Sequence, residues 1–165
     1  MSDAHVLGEG LLPTPFTAAE IREASGRGKT IRILVEGPGE LRHERVNRFS
    51  ACDDEGATLA RWRLAAVGAP LEEVDGEVSS GRVSWLELQW HAAFPTARTT
   101  VVEEEVEVPL GRFDCLRYDT RDDEPDAPVE TFWFAHAHPG MPVRYEVPTP
   151  EGVVVNSVVS IELEG

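Results

Sequence analysis

Between Val106 and Val147 the chain is cut by glycine and proline into short β-branched and aromatic runs. It turns at Pro109-Leu110-Gly111, runs through Phe113 to Tyr118, breaks from Arg121 to Pro128, and resumes at Thr131-Phe132-Trp133-Phe134. A further turn at Pro139-Gly140-Met141-Pro142 leads into Val143 to Val147. Glycine supplies positive φ and proline cannot donate to a strand ladder, so punctuation of this kind specifies an antiparallel meander. That constrains the fold class and says nothing of a reaction.

The strand pattern extends upstream and downstream. Thr30–Glu36 and Leu41–Ala51 flank Gly37-Pro38-Gly39, and Ala57–Val67 follows Asp53-Asp54-Glu55-Gly56. In that third run Ala60, Trp62, Leu64 and Ala66 share one face and Arg61 and Arg63 the other, the alternation of a half-buried strand. Leu71–Ser79 reads as a weaker, more exposed strand. Thr99–Val108, Arg112–Thr120, Val129–Ala135, Met141–Val147 and Val153–Leu163 follow.

Two capping boxes announce helices. Thr17 with Glu20 opens one over Ala18–Ala24, with Phe16 placed to staple onto Ile21. Ser84 with Glu87 opens another that runs to about Ala93 and stops before Pro95. On it Trp85, Leu88 and Ala92, with Leu86, Trp90 and Ala93, cover nearly the whole circumference, which predicts a buried helix. The expected fold is mainly β (α+β): a single curved antiparallel sheet of about eight or nine strands, a half-barrel wrapped around one or two short helices. Residues 1–15, with Gly8, Gly10, Pro13 and Pro15, form an N-terminal arm, and residues 16–165 one domain, consistent with 165 residues and 41% hydrophobic content.

Fifteen basic against thirty acidic side chains leave a net charge of −15. Nucleic acid would repel this chain at every phosphate, and an anionic membrane surface would do the same. Neither is an expected partner. The start, Met1 to His5, lacks a basic stretch followed by an apolar one, and no apolar run approaches the roughly 18 residues of a membrane span. The expected compartment is the cytoplasm. Cys52 and Cys115 are too few for a disulfide framework, though one bridge is open to them.

The order of elements, with Leu110-Gly111-Arg112-Phe113-Asp114, Phe132-Trp133-Phe134 and Gly140-Met141-Pro142-Val143-Arg144, resembles the half-barrel domains of the bacterial lipoprotein-carrier superfamily (LolA/LppX-type). The motifs cover the last third of the chain, and the strands before it match by architecture alone. The resemblance implies a strongly curved, incomplete sheet around helices, and acyl-chain binding in its concave cavity.

Candidate chemistry is sparse. His136 and His138 fall on one face of a strand end, but a closed zinc site needs four ligands; no metal and no cofactor is expected. His91 lies beside Trp90 as a core or rim histidine. Cys115 has no neighbouring group to depress its pKa and reads as a buried structural thiol. Glu104 shares a face with Val102, Val106 and Val108, so it is expected inward and paired with Arg117, since opposing positions of that hairpin sum to about 221. The expected function is non-enzymatic: a small apolar or amphipathic ligand in the concave face, lined by Trp62, Trp85, Trp90, Phe132, Phe134 and Tyr145, with Glu104 and Arg117 either a structural ion pair or a polar anchor at the cavity floor. Two rivals stay open. One is an interaction module offering its acidic surface to a protein partner; the other is an enzyme using Glu104 or a histidine as general base.

Overall fold

Each glycine- or proline-marked turn closes a hairpin. In the computed structural model, which describes residues 3–163, the strands are β1 (Thr30–Glu36), β2 (Arg42–Cys52), β3 (Gly56–Leu64), β4 (Val74–Ser84), β5 (Thr99–Val108), β6 (Gly111–Thr120), β7 (Glu130–Ala135), β8 (Arg144–Thr149) and β9 (Gly152–Glu162). They form one open antiparallel sheet in the order β4-β3-β2-β1-β9-β8-β7-β6-β5. Two meanders thus meet where β1 pairs with β9. The sheet is curved and unclosed, a half-barrel.

The helices are shorter than their apolar runs. α1 (Ala18–Glu23) and α2 (Trp85–Trp90) each have a complete capping box, Thr17 with Glu20 and Ser84 with Glu87. α2 and a 3₁₀ turn at Thr96–Arg98 lie in the link between the edge strands β4 and β5. A link between opposite edges of a curled sheet must cross its open side, and that brings α2 over the concave face. The expectation of an all-round buried helix needs correcting: Trp85 and Gln89 are buried, while Leu86 and Trp90 are 50% and 46% exposed. With only six residues, α2 buries its i, i+4 face against the sheet and leaves the other side to water. Apolar residues around a helix do not reveal how many neighbours it has.

β4 starts three residues later than the apolar run suggests and extends to Ser84. Its residues are almost all exposed, so pairing with β3 sets its bounds, with Gly56 opposite Ser84. There the backbones approach so closely that a Cβ on Gly56 would lie 2.2 Å from the Val83 carbonyl oxygen, a contact only glycine permits.

The main core fills the concave side with Ile31, Ile33, Val35, Phe49, Leu59, Tyr118, Phe134 and Val158, against Phe16, Ile21 and Trp85 from the helical layer. A second cluster of Val46, Trp62, Leu64 and Ala69 lies on the convex side beneath the 65–73 segment. Polar anchors pin that segment. The buried Glu44 carboxylate accepts from the Gly68 amide, Arg32 donates to the Ala69 carbonyl at 2.9 Å, and the Trp62 indole donates to Leu71 at 3.0 Å.

The arm is docked through Gln89. Its side-chain amide donates to the Ala4 carbonyl at 2.7 Å and the Thr14 hydroxyl at 3.0 Å, and its oxygen accepts from the Ala18 amide at 2.9 Å. Leu12 and Gly10 also exchange backbone hydrogen bonds with Phe94 and Thr96, and the Tyr118 hydroxyl donates to Pro13. No described helix is long and apolar enough to cross a membrane.

Candidate functional site

Between the helical layer and the concave face lies a pocket of about 330 Å³. Ile21 reaches it from α1 and Ser25 from just beyond that helix, Leu88 from α2, and His91 and Ala92 from the turn that follows. The sheet contributes Ile31, Phe49, Leu59, Phe132 and Phe134, and the β7–β8 loop contributes Met141 and Pro142. Larger hollows of about 460 and 600 Å³, near Arg48 and near Arg144, are open depressions of the surface rather than spaces between layers.

Aromatic packing holds the apolar wall. Phe134 meets Tyr118 and Phe16 edge-on at 5.6 and 6.5 Å, and Phe132 stacks between Phe94 at 5.3 Å and Tyr145 at 5.9 Å. Curvature is visible in one contact: the Arg45 guanidinium on β2 donates to the Tyr145 hydroxyl on β8, across the two intervening strands. Three strand steps on a flat sheet would separate those strands by about 14 Å.

The polar part of the lining is cationic. Lys29, Arg45 and Arg61 are there with Asn47, His91 and Tyr145, and among the described residues no carboxylate lines the pocket. Lys29 is buried, donates to the Ala24 carbonyl at 3.0 Å, and lies 5.7 Å from the Phe49 ring centre. Burial lowers its pKa, partly offset by Cys52.

Of the side chains expected to form the site, Phe132, Phe134 and Tyr145 line this pocket. Trp85 is buried beside it, stacked on Phe49 at 6.2 Å with its indole donating to the Asp53 carbonyl. Trp90 is on the outer side of α2. Trp62 is on the convex face, because its neighbour Arg61 points into the pocket and strand side chains alternate. Both faces of β3 carry apolar residues, so alternation alone could not say which was concave.

Glu104 and Arg117 do form an ion pair, at 3.1 Å, yet on the opposite face from the pocket. Arg117 is paired with Trp133 in the ladder, while its neighbour Tyr118 pairs with the pocket residue Phe132. The Trp133 indole donates to Glu104 at 2.6 Å, and the guanidiniums of Arg117 and Arg144 lie 5.4 and 5.2 Å from its ring centre. Asp119 also accepts from Arg117, at 3.2 Å. This is a surface polar network that tethers β5 to β7, not a cavity floor.

The remaining candidates diverge. His136 pairs with Glu103 at 3.0 Å, whereas His138 meets the Phe113 ring edge-on at 5.0 Å. Cys52 and Cys115 are both free. Burial, then the charge of Asp114, pushes the Cys115 thiol up to about 11, so little thiolate is present near neutrality. Arg45 and Asn47 escape sequence reading because β2 carries polar side chains on both faces, and Lys29 because it lies in the link before β1, where no periodicity assigns a face.

No protein-family model matches the chain, and no curated protein matches it. Among solved structures, a Bacteroides fragilis protein with a YmcC-like fold is similar at 12% identity and a TM-score of 0.45, over 84% of this chain and 97% of that one.

Proposed function

We propose that the protein binds a small apolar or amphipathic ligand in the pocket beneath α1 and α2, the use of a concave face that a resemblance to lipoprotein-carrier half-barrels implies. One observation carries this: the helical layer does not fill the cup. Of the three bulky apolar side chains on α2, Trp85 is spent on Phe49, Trp90 faces outward, and Leu88 alone reaches the space. The volume left is at the lower end of the roughly 300–1,000 Å³ of small-molecule sites. Binding rather than catalysis is favoured because, among the described residues, the pocket's Ser25 hydroxyl has no hydrogen-bond partner and so no base beside it, and the Glu104 carboxylate is on the other face.

Titration with a neutral apolar dye such as Nile red tests it. Saturable uptake nearly independent of salt is expected, because apolar burial drives it. Leu88→Trp should suppress uptake by occupying the space. Absence of saturable uptake by the folded wild-type protein would overturn the assignment.

A further inference from the structure

The pocket's cations stand out against the charge of the whole chain. Acidic side chains outnumber basic ones two to one, and eleven ion pairs join the described residues. Lys29, Arg45 and Arg61 take part in none of them, and neither do Arg22, Arg27, Arg48, Arg98 and Arg121; what sets the three apart is that they line one pocket together. Arg45 is bonded only to Asn47 and Tyr145, Lys29 only to a backbone carbonyl, and the Arg61 guanidinium has no hydrogen-bond partner among the described residues. For Lys29, which is buried, the absence of a carboxylate partner is costly, whereas Arg45 is partly and Arg61 largely open to water.

The register makes the three a contiguous group. Asn47 is opposite Arg61 across the β2–β3 ladder, and Arg45 and Phe49 flank Asn47 on the same face. The Lys29 carbonyl accepts from the Phe49 amide at 2.9 Å, which sets the ammonium beside that ring. Cations therefore run along one wall of the pocket, and Phe132, Phe134 and Leu88 belong to its apolar remainder.

We propose that the ligand is an amphipathic monoanion: a carboxylate or similar head held by Lys29, Arg45 and Arg61, with an apolar tail against Phe132, Phe134 and Leu88. This rests on the ligand-binding reading above and adds the chemical class. The net charge of −15 does not forbid it. Surface carboxylates are dispersed, and beyond about 8–10 Å salt screens them, whereas the head would be within direct hydrogen-bonding reach of the guanidiniums.

Octanoate and octanol share a tail and differ in the head, so competition of each against Nile red separates the two claims. Octanoate is expected to compete about tenfold more strongly than octanol, and its advantage should shrink several-fold between 20 and 500 mM salt while octanol is unaffected. Arg61→Gln, at an exposed side chain, should lower octanoate affinity by a larger factor than octanol affinity and so reduce the ratio of the two, and Lys29→Met should reduce it further. Equal competition by the two compounds, or a ratio unmoved in both variants, would overturn the anion assignment while leaving apolar binding intact. Failure of Nile red, octanol and octanoate alike would overturn both.

Discussion

Replacing Gln89 with leucine keeps the side chain's bulk and removes three hydrogen bonds at once. Two came from its amide to Ala4 and Thr14, and one was received from Ala18. Gln89 is 2% exposed, so water does not readily replace them. At about 1 kcal/mol net for each bond, with some further cost for leaving the Ala18 amide unpaired, the loss should be about 3–4 kcal/mol. In a domain of this size that corresponds to a fall in Tm of roughly 6–16 °C. Urea denaturation would give the free energy, and amide hydrogen exchange would locate it. The Thr14 and Ala18 amides should exchange faster, while those of the β2–β3 ladder change only with global stability. Leu12 and Thr96 retain their backbone partners, so loosening should be greatest at the ends of the arm rather than at its middle. A loss below about 1 kcal/mol with unchanged exchange at Thr14 would refute Gln89 as the arm's anchor.

Trp85→Ala should cost about 3–5 kcal/mol, the range for a buried aromatic, whereas Trp90→Ala, at a side chain about half exposed, should cost about 1–2. Equal shifts in denaturation midpoint would contradict the two placements on α2. A second expectation concerns pH. His43 and His138 have lowered pKa values, in each case chiefly from burial, with Arg63 and Arg45 adding to the effect at His43 and Lys29 at His138. Between the folded values and the ordinary 6.5 the unfolded chain binds more protons, so their contribution is present above 6.5 and is lost as pH falls below it. Stability measured at pH 7.5 and 5.5 should fall toward acid, and His43→Asn should flatten the slope; an unchanged slope would count against it.

Local chemistry was readable wherever one or two residues decide the outcome. The two capping boxes need only a hydroxyl and a carboxylate three positions apart, and both formed. The β5–β6 hairpin shows the limit. Its turn is Pro109-Leu110, with Val108 opposite Gly111, so opposing positions sum to 219 rather than 221. A slip of two preserves which side chains share a face, so Glu104 and Arg117 still meet, diagonally instead of directly. What alternation could not supply was which face is concave. The segment after β3 folds back to bury Trp62 and Leu64, giving that strand an apolar environment on both sides. The cationic wall was hidden for a related reason: it is assembled from β2, β3 and the residue before β1, and only tertiary curvature brings Tyr145 to it.

The seam between the meanders has a kinetic meaning. β2, β3 and β4, like β5 through β9, are joined by hairpins whose partners are near in sequence, and these can close quickly. The seam matches Ile31 with Ile161, so nearly the whole chain must be looped before that ladder gains its first bond. Loop-closure entropy weighs on this step more than on any hairpin. Two preassembled halves joining late along β1 and β9 is the folding route such a topology favours, and until they join, both strands are unprotected edges open to pairing with another molecule.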